Sequence, residues 1–320
     1  MKRLVVASVI VLSTLVACSA PAPEPIAATA PQPSGAFPVT VEHSLGTTTI
    51  EREPTRVVTL GPSDADAVLA LGVVPVAIHS RYGFERGVGP WAEPALGDAA
   101  PAVTTGEISY EAVAAARPDL IVNVGSGGEQ EQHDTLSRIA PTIALPAGAA
   151  PFAPRWQDAT LLIAQALGRA AEGERLVTDT ESYLSGVAAE NPAFAGRTLT
   201  YLDVVGNEVY LGGKATTVVR TMRELGFRDT PYTGSLPPEE TQVLLSAELL
   251  PQVDADVLLV YGFGAGREQV LAANAGLATL SSVTEGRAFF LPDLALSAPS
   301  VLSIRYGVDQ VLPFLRTATG

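Results

Sequence analysis

An α/β fold of two lobes joined by one long helix is what this sequence of 320 residues predicts. Three observations carry the prediction. From residue 39 onward, short apolar runs rich in Val, Ile and Leu alternate with amphipathic helical stretches. Between 155 and 190 the alternation stops, and the pattern stays helical without a proline. It then resumes to the C-terminus. Strands alternating with helices argue for parallel sheets covered on both faces, because each crossover helix lays its apolar stripe on the sheet. The length leaves room for two domains of about 100–150 residues each.

Taken in order, the chain opens with Lys2 and Arg3 ahead of an apolar run, 4–17, that ends at Cys18. A basic start, a short apolar core and a small residue before a cut form a secretory signal, and the run is too short for a membrane span of about 20 residues. Leu15-Val16-Ala17-Cys18 resembles a bacterial lipobox. That resemblance implies cleavage before Cys18 and lipid attachment to it, which holds the protein at the membrane of the cell envelope, outside the cytoplasm. Residues 19–38 are mostly Ala, Pro and polar residues. They cannot build a core and favour extended conformations, so they read as a tether.

The body starts with a hairpin, 39–43 and 47–51, split at Leu45-Gly46. A strand at 56–60 leads through Gly61-Pro62 into a helix from Ser63, a residue suited to the N-cap. Next come a strand at 73–79, a helix at 107–117 stopped by Pro118, a strand at 120–124, a helix at 130–139 and a strand at 142–145. Residues 155–190, read as one helix of ~36 residues, would span ~54 Å, although Gly168 and Gly173 are points where it could break or bend. The second series has strands at 197–204, 208–211, 257–261 and 288–291, with helices at 215–225, 241–253 and 300–315. The expected organisation is a signal and lipidation segment, 1–18, a tether, 19–38, a first lobe, 39–150, a connecting long helix, 151–190, and a second lobe, 191–320.

Composition excludes several classes. Acidic residues outnumber basic ones 34 to 20, a formal charge of −14. Losing Lys2 and Arg3 on cleavage makes it −16. Such a surface repels phosphate backbones, so no nucleic-acid partner is expected. With Cys18 as the single cysteine there is no internal disulfide and no cysteine-based zinc or iron–sulfur site. His43, His79 and His133 lack ligand spacing, and no resident metal or cofactor is expected. Gly262-Phe263-Gly264-Ala265-Gly266 has Arg267 where a dinucleotide fingerprint needs its third glycine. Gly213-Lys214 lacks the rest of a phosphate loop, and Asn123 stands where a nucleophile elbow needs glycine. No enzyme is expected.

Several segments resemble one family, the ABC-transporter substrate-binding proteins for ferric siderophores, haem and cobalamin. They are Leu45-Gly-Thr-Thr-Thr-Ile50 with Pro54-Thr-Arg-Val-Val58, Ala70-Leu-Gly-Val-Val-Pro-Val-Ala77, and Glu111-Ala-Val-Ala-Ala-Ala-Arg-Pro-Asp-Leu-Ile121. Leu136-Ser-Arg-Ile-Ala-Pro-Thr142, the helix with Ile163 and Leu167-Gly168, and Ser246-Ala-Glu248 with Asp254-Ala-Asp256-Val-Leu258 fit as well. The resemblance implies two Rossmann-like lobes joined by a single long α-helix, the class III substrate-binding fold. It also implies that Glu111 and Glu248, one per lobe, dock on arginines of a membrane permease served by an ATPase.

Ligands of open parallel sheets bind beyond the carboxyl ends of the strands. The candidates there are Ser63, Asp64, Arg81, Tyr82, Ser126, Tyr201, Asn207, Tyr261, Phe263, Arg305 and Tyr306, with Trp156 at the lobe junction. Arginine offers a planar charged fork to chelate oxygens and aromatic faces pack an apolar rim. Arg81-Tyr82 and Arg305-Tyr306 place that combination once in each lobe and favour an anionic ferric siderophore, iron entering only as part of the chelate. The expected protein is a monomeric carrier. Haem or cobalamin is the alternative cargo, and an envelope hydrolase or a transport-uncoupled sensor the alternative roles.

Overall fold

The computed structural model describes residues 37–80, 82–298 and 300–320. The signal segment with Cys18 and nearly all of the tether lie outside the described residues, as does Arg81. Strands β1 (Val39–His43) and β2 (Gly46–Ile50) form an antiparallel hairpin. Its inward side chains, Val41, His43, Thr48 and Ile50, alternate with exposed ones, as period-two geometry requires. Gly46 turns the chain at φ +121°, a backbone open to glycine.

The first lobe continues with β3 (Val57–Thr59), α1 (Asp64–Ala70), β4 (Ala77–His79), α2 (Glu93–Leu96) and β5 (Ala102–Thr104). It closes with α3 (Tyr110–Ala115), β6 (Leu120–Val122), α4 (Gln130–Ser137) and β7 (Thr142–Ile143). The strands run in the order β5-β4-β3-β6-β7, each pair parallel. β3 and β6 are buried throughout, which is why their sequences read as unbroken apolar runs. The reading above has no counterpart for α2 and β5. They lie in a Gly- and Pro-rich stretch without periodicity, and β5 is a partly exposed three-residue edge.

The connector differs from one continuous helix. It consists of α5 (Trp156–Ala166) and α6 (Ala170–Glu190), parted at Gly168 with φ +66°. Ile163 and Ala164 of α5 and its C-cap Leu167 bury against Val57, Val68 and Leu120 of the first lobe. Only α6, 21 residues and about 31 Å long, runs on to the second lobe. Gly173 makes no break. A Cβ there would lie 2.4 Å from the Ala164 Cβ, so its role is to let α5 and α6 approach closely.

The second lobe comprises β8 (Leu199–Val205), β9 (Glu208–Gly212), α7 (Thr217–Glu224), α8 (Pro231–Ser235) and β10 (Gln242–Leu245). After a 3-10 segment, Ala247–Val253, come β11 (Val257–Tyr261), α9 (Arg267–Ala273), α10 (Ala275–Ala278), α11 (Ser281–Thr284), β12 (Ala288–Leu291) and α12 (Ser303–Thr319). The order is β10-β9-β8-β11-β12. β8, β11 and β12 are parallel, whereas β9 and β10 are antiparallel, so this sheet is mixed. The helix expected at 241–253 is therefore a strand followed by a 3-10 turn. Pairing with β9 overrides the helical pattern, and Pro251 has no N–H for an α-helical bond.

A single apolar cluster crosses the molecule. It joins Ala65, Trp91 and Leu96 of the first lobe, Val177 and Leu184 of α6, and Tyr201, Val218, Leu296 and Ile304 of the second lobe. Among the described residues no helix is long and apolar enough to cross a membrane.

Candidate functional site

The chain leaving β3, β4 and β6 at their carboxyl ends borders a hollow of about 480 Å3. Leu60, Pro62, His79, Asn123, Ser126 and Phe152 form its walls, and Glu107, Tyr110, Glu129 and Gln132 its rim. Pro62, Gly125 and Phe152 are shared with a narrower crevice. There Ser63, Asp64 and Tyr82 of the first lobe and Trp156 and Thr160 of α5 face Ser297, Ala298 and Ser300 of the second. The structure thus brings Ser63, Asp64, Tyr82 and Trp156 together where the two lobes meet, with Ser126 in the adjoining hollow of the first lobe.

Asp64 has a structural task there. Its carboxylate accepts hydrogen bonds from the amides of Gly61 (2.8 Å), Val124 (3.0 Å) and Gly125 (3.0 Å), clamping the turns that leave β3 and β6. A Cβ on Gly61 would lie 2.6 Å from both the Asp64 Oδ2 and the Gly125 nitrogen. Burial pushes the Asp64 carboxyl up to about 6 against the lowering effect of the three amides. Ser63 occupies the N-cap position of α1 without a side-chain capping bond.

A second buried carboxylate, Asp66, ties the lobes. Its Oδ2 accepts from Trp91 Nε1 (2.6 Å) and from Ser300 Oγ (2.8 Å), which precedes α12 in the second lobe. Burial raises its carboxyl to about 7, opposed by these two donors and reinforced by Asp64. Around it an aromatic chain crosses the junction, Tyr82–Phe84–Trp91–Tyr306, with ring centroids 6.4, 5.6 and 5.9 Å apart.

On the second lobe Tyr201 is buried. Its hydroxyl donates to Asp203 Oδ1 (2.5 Å) and lies 2.8 Å from Ser297 Oγ, so it reaches the crevice only through Ser297. Gln242 also donates to Asp203. Tyr261, ending β11, packs on Phe263 at 4.6 Å between centroids, and Phe263 is 52% exposed. The Tyr261 hydroxyl is raised by burial first, then by the charges of Asp203 and Asp293 and by Tyr82 of the first lobe.

Like Tyr201, Tyr261 and Phe263, the remaining second-lobe candidates line neither hollow. Asn207 sits in the exposed β8–β9 turn and lines neither hollow. Arg305 holds its guanidinium 4.6 Å above the ring of Tyr183 on α6, in a groove shared with Asp179 and Asp309. Tyr306 borders the same groove and also packs on Trp91 at 5.9 Å between centroids, but it lines neither hollow. The Arg305-Tyr306 pair therefore stays together, but in a groove beside α6 and not on either hollow. Glu111, in the first turn of α3, and Glu248, in the 3-10 segment, are both exposed. Phe152, Asn123, Asp66 and Ser300 had no signal in the sequence. Phe152, 55% exposed at φ +57°, comes from an Ala/Pro loop without periodicity. Among the described residues no group of three or more His, Cys, Asp or Glu is arranged to hold a metal ion.

Comparison with known proteins gives one consistent picture. A family model described as "Periplasmic binding protein" matches residues 57–295. The "Probable siderophore-binding lipoprotein YfiY" of Bacillus subtilis is 28% identical over 299 residues, covering 87% of this chain and 88% of its own. A periplasmic solute binding protein from Mycobacterium smegmatis superposes with a TM-score of 0.78 at 31% identity, over 88% of this chain and 99% of that one. Streptococcus pneumoniae PiaA in complex with ferrichrome gives 0.74 at 25% identity, over 88% and 98%.

Proposed function

Since this chain belongs to the periplasmic binding protein family, we propose that it is the substrate-binding lipoprotein of an ABC importer, which captures a ferric siderophore between its lobes and passes it to a membrane permease. The observation that carries the proposal is the hollow at the strand ends, walled by exposed Phe152 and continuous with a crevice that holds Tyr82 and Trp156. A concave site with aromatic walls and a few hydrogen-bonding groups suits a bulky, oxygen-rich chelate. The similarity to YfiY, whose name is "Probable siderophore-binding lipoprotein", along 87% of the chain supports the same cargo class. Lipid on Cys18 keeps the carrier at the membrane, and Glu111 and Glu248 present one carboxylate per lobe to the permease.

Titration of intrinsic tryptophan fluorescence tests the capture step, because Trp156 lines the crevice and Trp91 lies beside it. One ferric chelate should quench saturably at sub-micromolar concentration, and its iron-free form should not. Tyr82→Ala and Phe152→Ala should each weaken that binding about tenfold or more, the loss of a stacked aromatic contact together with its buried area. Saturation by haem or cobalamin alone would reassign the cargo, and silence to every ferric chelate would sink the proposal.

A further inference from the structure

A further groove, of about 310 Å3, lies where the start of α5 meets α7. Arg155, Trp156 and Gln157 line it on one side, and Thr217, Arg220 and Glu224 on the other. The α7 residues stand three and four apart in sequence, so they share one face of that helix. Trp156 is the one residue in common with the crevice, and the larger hollow shares none.

Both guanidinium groups of this groove keep their donors unused. Neither Arg155 nor Arg220 makes a side-chain hydrogen bond or ion pair among the described residues, and Arg220 Nη1 is buried without an acceptor. A buried donor left unmet is costly. Arg220 and Glu224 have the spacing at which opposite charges commonly pair on a helix, yet no ion pair joins them. Burial first, then the charges of Arg155 and Arg223, hold the Arg220 guanidinium below its ordinary pKa, with Asp158 opposing them. Arg223 itself is paired with Asp229. Both helices also begin here, and neither Arg155 nor Thr216 caps its first turn with a side chain, which leaves two positive helix ends facing the same space.

The acidic groups define what kind of anion fits. Glu224 lines the groove, and Gln157 donates to Glu181 at 3.2 Å. An anion that only accepts hydrogen bonds satisfies the two arginines and is repelled by Glu224. Hydrogen phosphate does both, because its charged oxygens accept and its P–OH donates. Sulfate and phosphodiesters carry no such proton at neutral pH.

We propose that this groove is a site for free hydrogen phosphate, separate from the chelate site, in which Arg155 and Arg220 donate to the charged oxygens and Glu224 accepts from the P–OH. Equilibrium dialysis of the mature chain against labelled inorganic phosphate tests it, with sulfate and dimethyl phosphate as competitors and ionic strength fixed by chloride. Phosphate should bind saturably at one site, at least about tenfold more tightly than either competitor. R155Q and R220Q should each weaken it about tenfold or more, the loss of charge-assisted hydrogen bonds. R155Q, at an exposed position, keeps the test decisive if R220Q disturbs α7. E224Q removes the charge that repels sulfate and should narrow the gap between the two anions. Unsaturable phosphate, equal affinity for sulfate or the diester, or an R155Q variant that binds as the parent does would overturn the site. Competitive displacement of phosphate by a ferric chelate would overturn its separateness and assign the groove to capture.

Discussion

At the scale of single residues, Asp66 is the most exposed to test. Its carboxylate is buried, raised to about 7, and bonded to Trp91 of its own lobe and Ser300 of the other. A carboxyl raised on folding stabilises the protein most when protonated in both states, below about pH 4. That contribution is lost as pH climbs through about 7, because the unfolded chain then releases its proton more readily. Asp64, raised to about 6, acts in the same direction. Asp66→Asn keeps an acceptor for both donors and removes the ionisation. Relative to the parent protein, this variant should gain at least about 1 kcal/mol of unfolding free energy between pH 5 and pH 8. Parallel pH profiles in urea denaturation would refute that account. Sequence reasoning found Asp64 and Tyr82 because residues just past strand ends are marked by their position. It had no handle on Asp66, whose partners lie 25 and 234 residues away. It misplaced Arg305 and Tyr306, which lie together in a groove beside α6, off both hollows, because position in the chain does not fix which side of α12 faces the cleft.

Elements tell a similar story about what local patterns contain. The hairpin, the buried strands of the first sheet and β11 were legible because their periodicity and burial agree. β10 was not, since its strand state comes from pairing with β9. The α5–α6 contact is likewise invisible in sequence and hinges on one missing methyl. Gly173→Ala would put a Cβ 2.4 Å from that of Ala164 and force the helices apart, at a cost of about 1–3 kcal/mol. Gly186→Ala in the same helix meets nothing within 4 Å and should instead stabilise by about 0.5–1 kcal/mol. Thermal unfolding of the two variants distinguishes crowding from helix propensity. A similar shift of both in one direction would show that the close approach does not matter.

For the whole molecule, the decisive feature is the apolar cluster that both lobes and α6 share, reinforced by the Asp66–Ser300 bond. Close-packed cores resist continuous deformation, so the lobes should rock slightly rather than close like jaws. Small-angle scattering of the free and the loaded protein should give radii of gyration within about 1 Å of each other on a size set by compact packing. A larger contraction would show that the shared core yields. The two-lobed plan could be read from the alternation of strands and helices. The sharing of one core could not, because it depends on distant side chains such as Trp91, Leu184 and Ile304 meeting in space.

Such rigidity bears on traffic at the membrane. A carrier whose lobes hold still keeps Glu111 and Glu248 at the same separation whether its hollow is full or vacant, so a permease docked on them as proposed would have no lobe angle by which to tell the two apart. If the proposed docking through these two carboxylates holds, the unloaded protein is a competitive inhibitor of its own importer, and uptake depends on the ratio of filled to vacant copies as much as on supply of the chelate. In reconstituted vesicles, vacant protein added to a fixed amount of filled protein should slow import, and charge reversal at Glu111 and Glu248 in the added copies should abolish the effect. Import that is indifferent to vacant copies would mean that the permease reads the cargo before it grips the carrier.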